Sequence, residues 1–401
     1  MPERRRIVIV GGGSAGITVA ARLRRAGEDD VTIIEPSATH YYQPLWTLVG
    51  AGVATVSETA RPMARVIPRG VSWVRDRAVD IDPEARVVVT GRGDRLHYDA
   101  LVVAPGIQLD WGGIPGLEEA ITYPQVSSNY RVDLAPRTWE HVNAFRGGTA
   151  LFTGIAGPHK CGGAAQKAAY LSADAFRRNG VLVSTDVVFA TPTPTIFGVP
   201  EFARPLEAVV ARYGIDTRFR HELVELRPAA REAVFVVEQE DGTRTRETIT
   251  YDLLHLVPPQ SAPDFLKGGP LAVAGDARGF VDVDAETLQH RRYADVFALG
   301  DASGAPNAKT GAAVRKQAPV VTANVRAVLD GRPLTERYDG YSSCPIVTGY
   351  GKLVLAEFDY SGRPHPTIPF IDTARERTDL YYLKRYGLPL LYWYGMLKGI
   401  A

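Results

Sequence analysis

The sequence predicts an α/β fold: two Rossmann-like dinucleotide-binding domains followed by a C-terminal region of strands and amphipathic helices. Three observations carry that expectation. The N-terminus reads as a strand, a glycine turn, a helix and a second strand; two later apolar strands end in small-residue turns; and a further strand, turn and helix lies between them.

Residues 7–35, IVIVGGGSAGITVAARLRRAGEDDVTIIE, hold the first signal. Four β-branched residues precede Gly11, Gly13 and Gly16, and Ile17, Ala20, Ala21 and Leu23 give the following helix an apolar face. Gly11 permits the tight turn, Gly13 lets the backbone approach a pyrophosphate, and Gly16 allows the helix to pack closely on the strand. Glu35 ends the second strand about 20 residues further on, where a carboxylate accepts from ribose hydroxyls. The strands YDALVVAPGIQLD (98–110) and YADVFALGD (293–301) then resemble the second and third FAD contacts of the flavoprotein disulfide reductases. In that resemblance the carboxylate of Asp301 bonds the ribityl chain, so FAD is the expected cofactor. The fold is the FAD/NAD(P)-binding type, and the expected division is residues 1–120 with 260–330 as FAD domain, 121–259 as second Rossmann-like domain, and 331–401 as C-terminal region.

The second domain lacks its own fingerprint. In TALFTGIAGPHKCGGAAQKAAYLSADAFRRNG (149–180) the turn is long and carries Pro158, His159, Lys160 and Cys161 where a pyrophosphate cradle would stand. A nicotinamide donor is therefore not expected. Cys161 has Lys160, His159 and a helix N-terminus beside it, all of which favour a thiolate; the alternative is a small buried thiol. Residues 217–251 alternate as short strands around the turn QEDGTR.

Several function classes drop out on composition. Lysine and arginine total 46 against 45 acidic residues, without long runs of one sign, which leaves no footprint for nucleic acid. The 8 histidines show no metal-ligand spacing, so no metal is expected, and the default for His40, His221 and His365 is structural. HYYQPLW (40–46) suits either a flavin pocket or an aromatic core, and no internal repeat is evident. The opening MPERRR runs directly into a strand, and no apolar run approaches the ~20 residues of a membrane span. The expectation is a chain on the cytoplasmic side of a membrane, peripheral, without signal peptide or transmembrane helix.

With these blocks in hand, the chain resembles the sulfide:quinone oxidoreductases, in the two-cysteine branch that includes the mitochondrial enzymes. The segments that carry the resemblance are HKCGGAAQKAAYLSADAFRRNG (159–180), TIFGVPEFA (195–203), LLHLVPPQSAPDFLK (253–267), GFVDVDAETLQHRRYADVFALGD (279–301), YDGYSSCPIVTGYGKLVLAEFDY (338–360) and LPLLYWYGMLKG (388–399). The resemblance implies that Cys161 and Cys344, the chain's 2 cysteines, are a redox pair beside the flavin. Hydrogen sulfide attacks the bridged pair, a sulfane sulfur stays on Cys344, and two electrons pass through FAD to a quinone. Glutathione, coenzyme A or sulfite then removes the sulfur. Some relatives have a third cysteine where this chain has Ser127 and Ser128, and a glutamate where it has Gln166 and Lys167; no carboxylate base is carried over.

Lys309 in PNAKTGAAVRKQA (306–318) suits either a cation that stabilises reduced flavin or a solvated surface residue, and for Lys316 the solvated reading is the stronger. The segment LYYLKRYGLPLLYWYGMLKGI (380–400) predicts two short helical pieces split at Gly387-Pro389, with Lys384, Arg385 and Lys398 as basic edges. It suits a membrane interface, with packing on the protein body as the alternative. A homodimer is left open. Two rival functions remain at this point: a type II NADH:quinone dehydrogenase, and a non-catalytic FAD-binding carrier of sulfane sulfur.

Overall fold

The computed structural model describes residues 5–401. Of the arginines in the opening MPERRR, Arg5 and Arg6 fall within them and pair with Asp330 and Asp99; Arg4 lies outside the described residues.

Two five-stranded sheets dominate. The first runs in the order Val296–Ala298, Ala100–Val103, Ile7–Val10, Val31–Ile34, Ser72–Val74, and the second in the order Val126–Ser127, Leu253–His255, Gly148–Thr153, Thr185–Ala190, Asp216–Arg218. Every neighbouring pair in both sheets is parallel. Parallel strands are covered on both faces, which is why these segments read as continuous apolar runs. Each domain also inserts a three-stranded antiparallel meander, 78–97 just before the fourth strand in sequence of the first and 221–250 just before the fifth of the second. The sequence shows no repeat, yet the architecture is one unit used twice. The turn expected at QEDGTR is present, closed by Gln239 N–H to Thr243 O.

The hairpin Ser342–Gly349 with Lys352–Phe358 lies between the two units. Side chains alternate along a strand, and here each face serves a different core. Val347 and Leu353 belong to the first domain's cluster, whereas Cys344, Ile346, Val354 and Ala356 belong to the second. Cys344 therefore points at the second domain because of its register with Ala356.

The C-terminal segment departs from the expected split. A continuous helical path runs from Thr378 to Lys398, with wide π turns at Leu383–Gly387 and Leu391–Gly395. Pro389 has no N–H to give, and its ring collides with a carbonyl one α turn back; the wider turns flanking it carry the path through without a break. Lys384 is a second correction: it is not a basic edge but a buried residue, with Nζ donating to the Pro44 carbonyl. Arg385 turns onto Glu58 and the Val53 carbonyl. The inner face, Leu380, Tyr381, Tyr392, Trp393, Met396 and Leu397, joins the first domain's core. Tyr382, Tyr386, Leu390, Tyr394 and Ile400 are left exposed on the outside.

Two histidines are buried as neutral rings. His255 accepts from the Asn129 amide, His40 bonds the Gly12 carbonyl, and burial pushes both down to about 4. Between pH 6.5 and 4 the unfolded chain takes up protons that these rings refuse, so stability present above pH 6.5 is lost as pH falls. Each ring contributes up to about 3 kcal/mol of that loss. Urea midpoints should therefore drop between pH 7.5 and 5; a flat profile contradicts the neutral assignment.

Candidate active site

The nucleotide end is built by the three glycines. Gly11 has φ +100°, and a Cβ there would lie 2.3 Å from the Ala104 carbonyl oxygen; at Gly16 it would lie 1.9 Å from the Gly11 oxygen. These two are fixed by packing. A Cβ at Gly13 would meet nothing within 4 Å, so that backbone is open, at the start of a helix with no side-chain cap and no acidic residue in its first turn. Such a helix start attracts a phosphate. Glu35 is pinned by the amides of Gly12 at 2.8 Å and Ser37 at 2.7 Å. A carboxylate has about four acceptor positions, which leaves acceptors for a ribose.

Asp301 follows Gly300, whose amide is held by Gln317 Oε1 at 2.9 Å. Burial raises the Asp301 carboxyl, against the pull of Lys309 and Lys160. Lys309 is itself buried, pushed down to about 8 by that burial, with Nζ on the Ser303 carbonyl and over the Phe280 ring at 4.2 Å. Lys316 is exposed. An uncapped helix start, an open glycine backbone and two carboxylates at the strand ends fit an FAD molecule; Gly11, Gly13, Gly16, Glu35 and Asp301 would hold it.

From this cradle the cysteines are one step away. Lys160 and Lys309 form a parallel bridge, and the Cys161 amide donates to the Lys309 carbonyl at 3.0 Å. Cys161 itself has φ +52°, a conformation that turns the chain sharply into the helix Ala164–Arg178. Cys344 reaches the same spot from the hairpin. Both are free thiols, Cys161 half-buried and Cys344 buried, and their sulfurs interact directly.

The structure corrects which groups make the thiolate. Lys160 sends its ammonium elsewhere, donating to Gln43 Oε1 at 2.8 Å. His159 bonds the Gly157 carbonyl of its own loop. The cation at the sulfur is Lys167, with Nζ 3.1 Å from Cys161 Sγ. The sequence offered one signal for it: a lysine in the first turn of a helix opposes the helix dipole and calls for an anion beside it.

A hydrogen bond from the Cys344 thiol and the nearby Lys167 ammonium hold Cys161 well below the ordinary thiol range. Cys344 is held well above it by donating to Cys161 and by burial. Lys167 loses charge stability to burial, but the two sulfurs more than restore it. Lys384, from the C-terminal segment, adds a second positive centre and is pushed down to about 7 by burial and by Lys167. Ser127 and Ser128 are fully buried in the second sheet, and Ser128 Oγ accepts from the Tyr130 amide.

The comparisons with known proteins fit this arrangement. Residues 5–318 match the pyridine nucleotide-disulphide oxidoreductase family. The mitochondrial sulfide:quinone oxidoreductase of Mus musculus is 43% identical over 394 residues, 98% of this chain and 86% of that protein. The chain belongs to the sulfide:quinone oxidoreductases. The Dictyostelium discoideum mitochondrial member is 40% identical, again covering 98% of this chain and 86% of its own length. The crystal structure of the Aquifex aeolicus sulfide:quinone oxidoreductase superposes with a TM-score of 0.82 at 21% identity, covering 99% of this chain and 92% of that one, and shares the fold.

Within this family frame the second domain's helix start has a distinct use. The corresponding position in the first domain is open for a phosphate, whereas here Cys344 Sγ lies against it, 2.8 Å from where a Gly163 Cβ would be. HYYQPLW also resolves: His40 and Tyr42 pack on Tyr392, and Tyr392 Oη bonds both His40 Nε2 and Ser14 Oγ.

Two predictions follow from the geometry. Lys167→Met should raise the pH midpoint of Cys161 alkylation by about 1–2 units, read by mass spectrometry of labelled peptides. Gly13→Ala, which meets no neighbour, should keep the apoprotein's stability within about 0.5 kcal/mol yet lower flavin content, read by calorimetry and by absorbance.

Proposed function

We propose that this protein oxidises sulfide at Cys161 and Cys344, passes two electrons to a quinone, and hands the sulfur to an acceptor. The observation that carries the reading is the meeting of two cysteines, from distant parts of the chain, at one buried ammonium 3.1 Å from Cys161 Sγ. Membership of the sulfide:quinone oxidoreductases supports the reaction class.

In the oxidised pair, hydrosulfide attacks Cys344 Sγ. A sulfur–sulfur bond forms on Cys344, the Cys161–Cys344 bond breaks, and its electron pair leaves on Cys161 as a thiolate. Exchange of this kind favours a low-pKa leaving thiol, which is the role of Lys167 beside Cys161. Bound FAD supplies a two-electron acceptor that can pass the pair on to a quinone. Lys309, buried near Asp301, is the cation available to the flavin ring. Glutathione, coenzyme A or sulfite then takes the sulfane sulfur from Cys344.

The C-terminal segment is the reading's membrane contact. No helix among the described residues is long and apolar enough to cross a membrane, so contact would be peripheral. The exposed Tyr382, Tyr386, Leu390 and Tyr394 match the tyrosine-rich, apolar composition of interfacial segments. Beside them a groove of about 280 Å³ is lined by Leu45, Arg61, Tyr386, Leu390 and Trp393, a suitable approach for a quinone. An NADH:quinone dehydrogenase reading loses its support at the second domain, where Cys344 covers the helix start that a pyrophosphate would need.

Under anaerobic conditions sulfide should bleach the flavin, a short-chain quinone should restore it, and NADH should do neither. Cys161→Ser and Cys344→Ser should each lower sulfide-driven bleaching by at least about a hundredfold while FAD stays bound. Full turnover in either variant would remove that cysteine from the reaction.

A further inference from the structure

Gly163 is a glycine without a conformational reason. Its φ of −86° and ψ of 3° are open to any residue, and it caps a 15-residue helix, a position where Ser, Thr, Asp and Asn are preferred. A Cβ there, however, would stand 2.8 Å from Cys344 Sγ, with Gln166 Nε2 at 3.5 Å and Ile346 Cγ1 at 3.6 Å. Gly162 provides the contrast, since a Cβ there meets only His159 Nε2 at 3.6 Å. What the missing side chain of Gly163 makes room for is the sulfur of Cys344.

The amide of the same residue faces that sulfur. Around the turn, Cys161 N–H goes to the Lys309 carbonyl, Ala164 N–H to the Cys161 carbonyl and Lys167 N–H to the Gly163 carbonyl. The Gly163 N–H goes to Cys344. Cys344 is only 4% exposed, so water does not compete for its sulfur. Its bond to Cys161 and its burial both disfavour a negative charge there; Lys167 and, to a smaller extent, the Gly163 amide act in the opposite sense.

We propose that Gly163 is a positioning residue for sulfur release: its bare Cα seats Cys344 Sγ at the helix start, and its N–H stabilises the charge that forms when that sulfur departs. The proposal rests on Cys344 carrying the sulfane sulfur. In the release step an acceptor, sulfite or a thiolate, attacks the outer sulfur of Cys344–S–SH. The acceptor–sulfur bond forms, the bond to Cys344 Sγ breaks, and the electron pair of that bond stays on Sγ as a thiolate. No outside oxidant is needed. A better-stabilised leaving thiolate departs faster. The earlier attack of hydrosulfide has Cys161 as its leaving group; Lys167 acts on both sulfurs, whereas the Gly163 amide acts on Cys344, so the amide is the group that distinguishes the two steps.

The test compares Gly163→Pro, Gly163→Ala and Gly162→Ala in the FAD-loaded enzyme by single-turnover kinetics. One trace follows flavin reduction by sulfide, and the other follows release of sulfane sulfur to sulfite. Proline at this cap position removes the Gly163 amide that faces Cys344. Both Ala and Pro place a Cβ beside Cys344 Sγ, so the amide is read from their difference: Gly163→Pro should slow release about 10–100-fold relative to Gly163→Ala, the loss of a hydrogen bond to a charged group, while the two differ by less than about threefold in flavin reduction. Gly163→Ala, which keeps the N–H but displaces the sulfur, should fall between Pro and wild type, and Gly162→Ala should change neither step. Unchanged release, or equal slowing of both steps, overturns the proposal.

Should Gly163→Pro fail to fold, Gly163→Ala decides through a second readout. In a Cys161→Ser background the pH midpoint for Cys344 alkylation should rise by about one unit, and an unmoved midpoint overturns the proposal. Mass spectrometry of the sulfide-treated wild type separates the two levels. Sulfur absent from Cys344 sinks the cysteine assignment, whereas sulfur present with unaffected variants sinks only the role of Gly163.

Discussion

Because side chains alternate along a strand, the hairpin 342–358 can fill two cores only in one register. Val347 and Leu353 must enter the first domain while Cys344, Ile346, Val354 and Ala356 enter the second. A slip of one residue would reverse every assignment and turn Cys344 away from Cys161. The meeting of the two sulfurs is thus enforced by apolar packing on both sides of one strand pair. The polar chemistry is carried on a hydrophobic constraint.

Given that placement, electrostatics divides the labour between two chemically identical side chains. Cys161 receives a hydrogen bond from Cys344 and lies beside Lys167; Cys344 gives that hydrogen bond and is more deeply buried. One thiol is therefore ionised at the expense of the other. Burying Lys167, Lys309 and Lys384 together is costly for each of them, as their opposing burial contributions show. The cost is offset at Lys167 by the sulfurs, and at Lys309 partly by Asp301. A positively charged interior suits a site whose substrate, thiolate and leaving groups are all anions.

Much of this was legible in the sequence wherever one local rule decides the outcome. Gly11, Gly13 and Gly16 follow from turn geometry and close packing, and the strand ends at Glu35 and Asp301 follow from β-α-β rhythm. Cys161 stood out by its surroundings, whereas Cys344 was marked only as the chain's other cysteine and by the family resemblance. Lys160 misled because adjacency in sequence is not adjacency in space: its ammonium is taken by Gln43, while Lys167, six residues after Cys161, reaches the sulfur. Lys167 was hidden inside an ordinary-looking helix, and only its unfavourable position in the first turn marked it. The split expected at Gly387-Pro389 failed because π turns absorb a proline that α turns cannot. The duplication of the two domains escaped notice because parallel-sheet strands conserve apolar character and order, not residue identity.

The contact of Tyr392 with Ser14 and His40 bears on how the protein is made. The tyrosine that bonds Ser14 leaves the ribosome 378 residues after it. Until then the nucleotide cradle lacks the wall that the C-terminal segment supplies, and a long-range contact of this kind is slow to form. Asp301 is also made before Tyr392, so every residue that would hold the cofactor is present before the C-terminal segment can pack against Ser14.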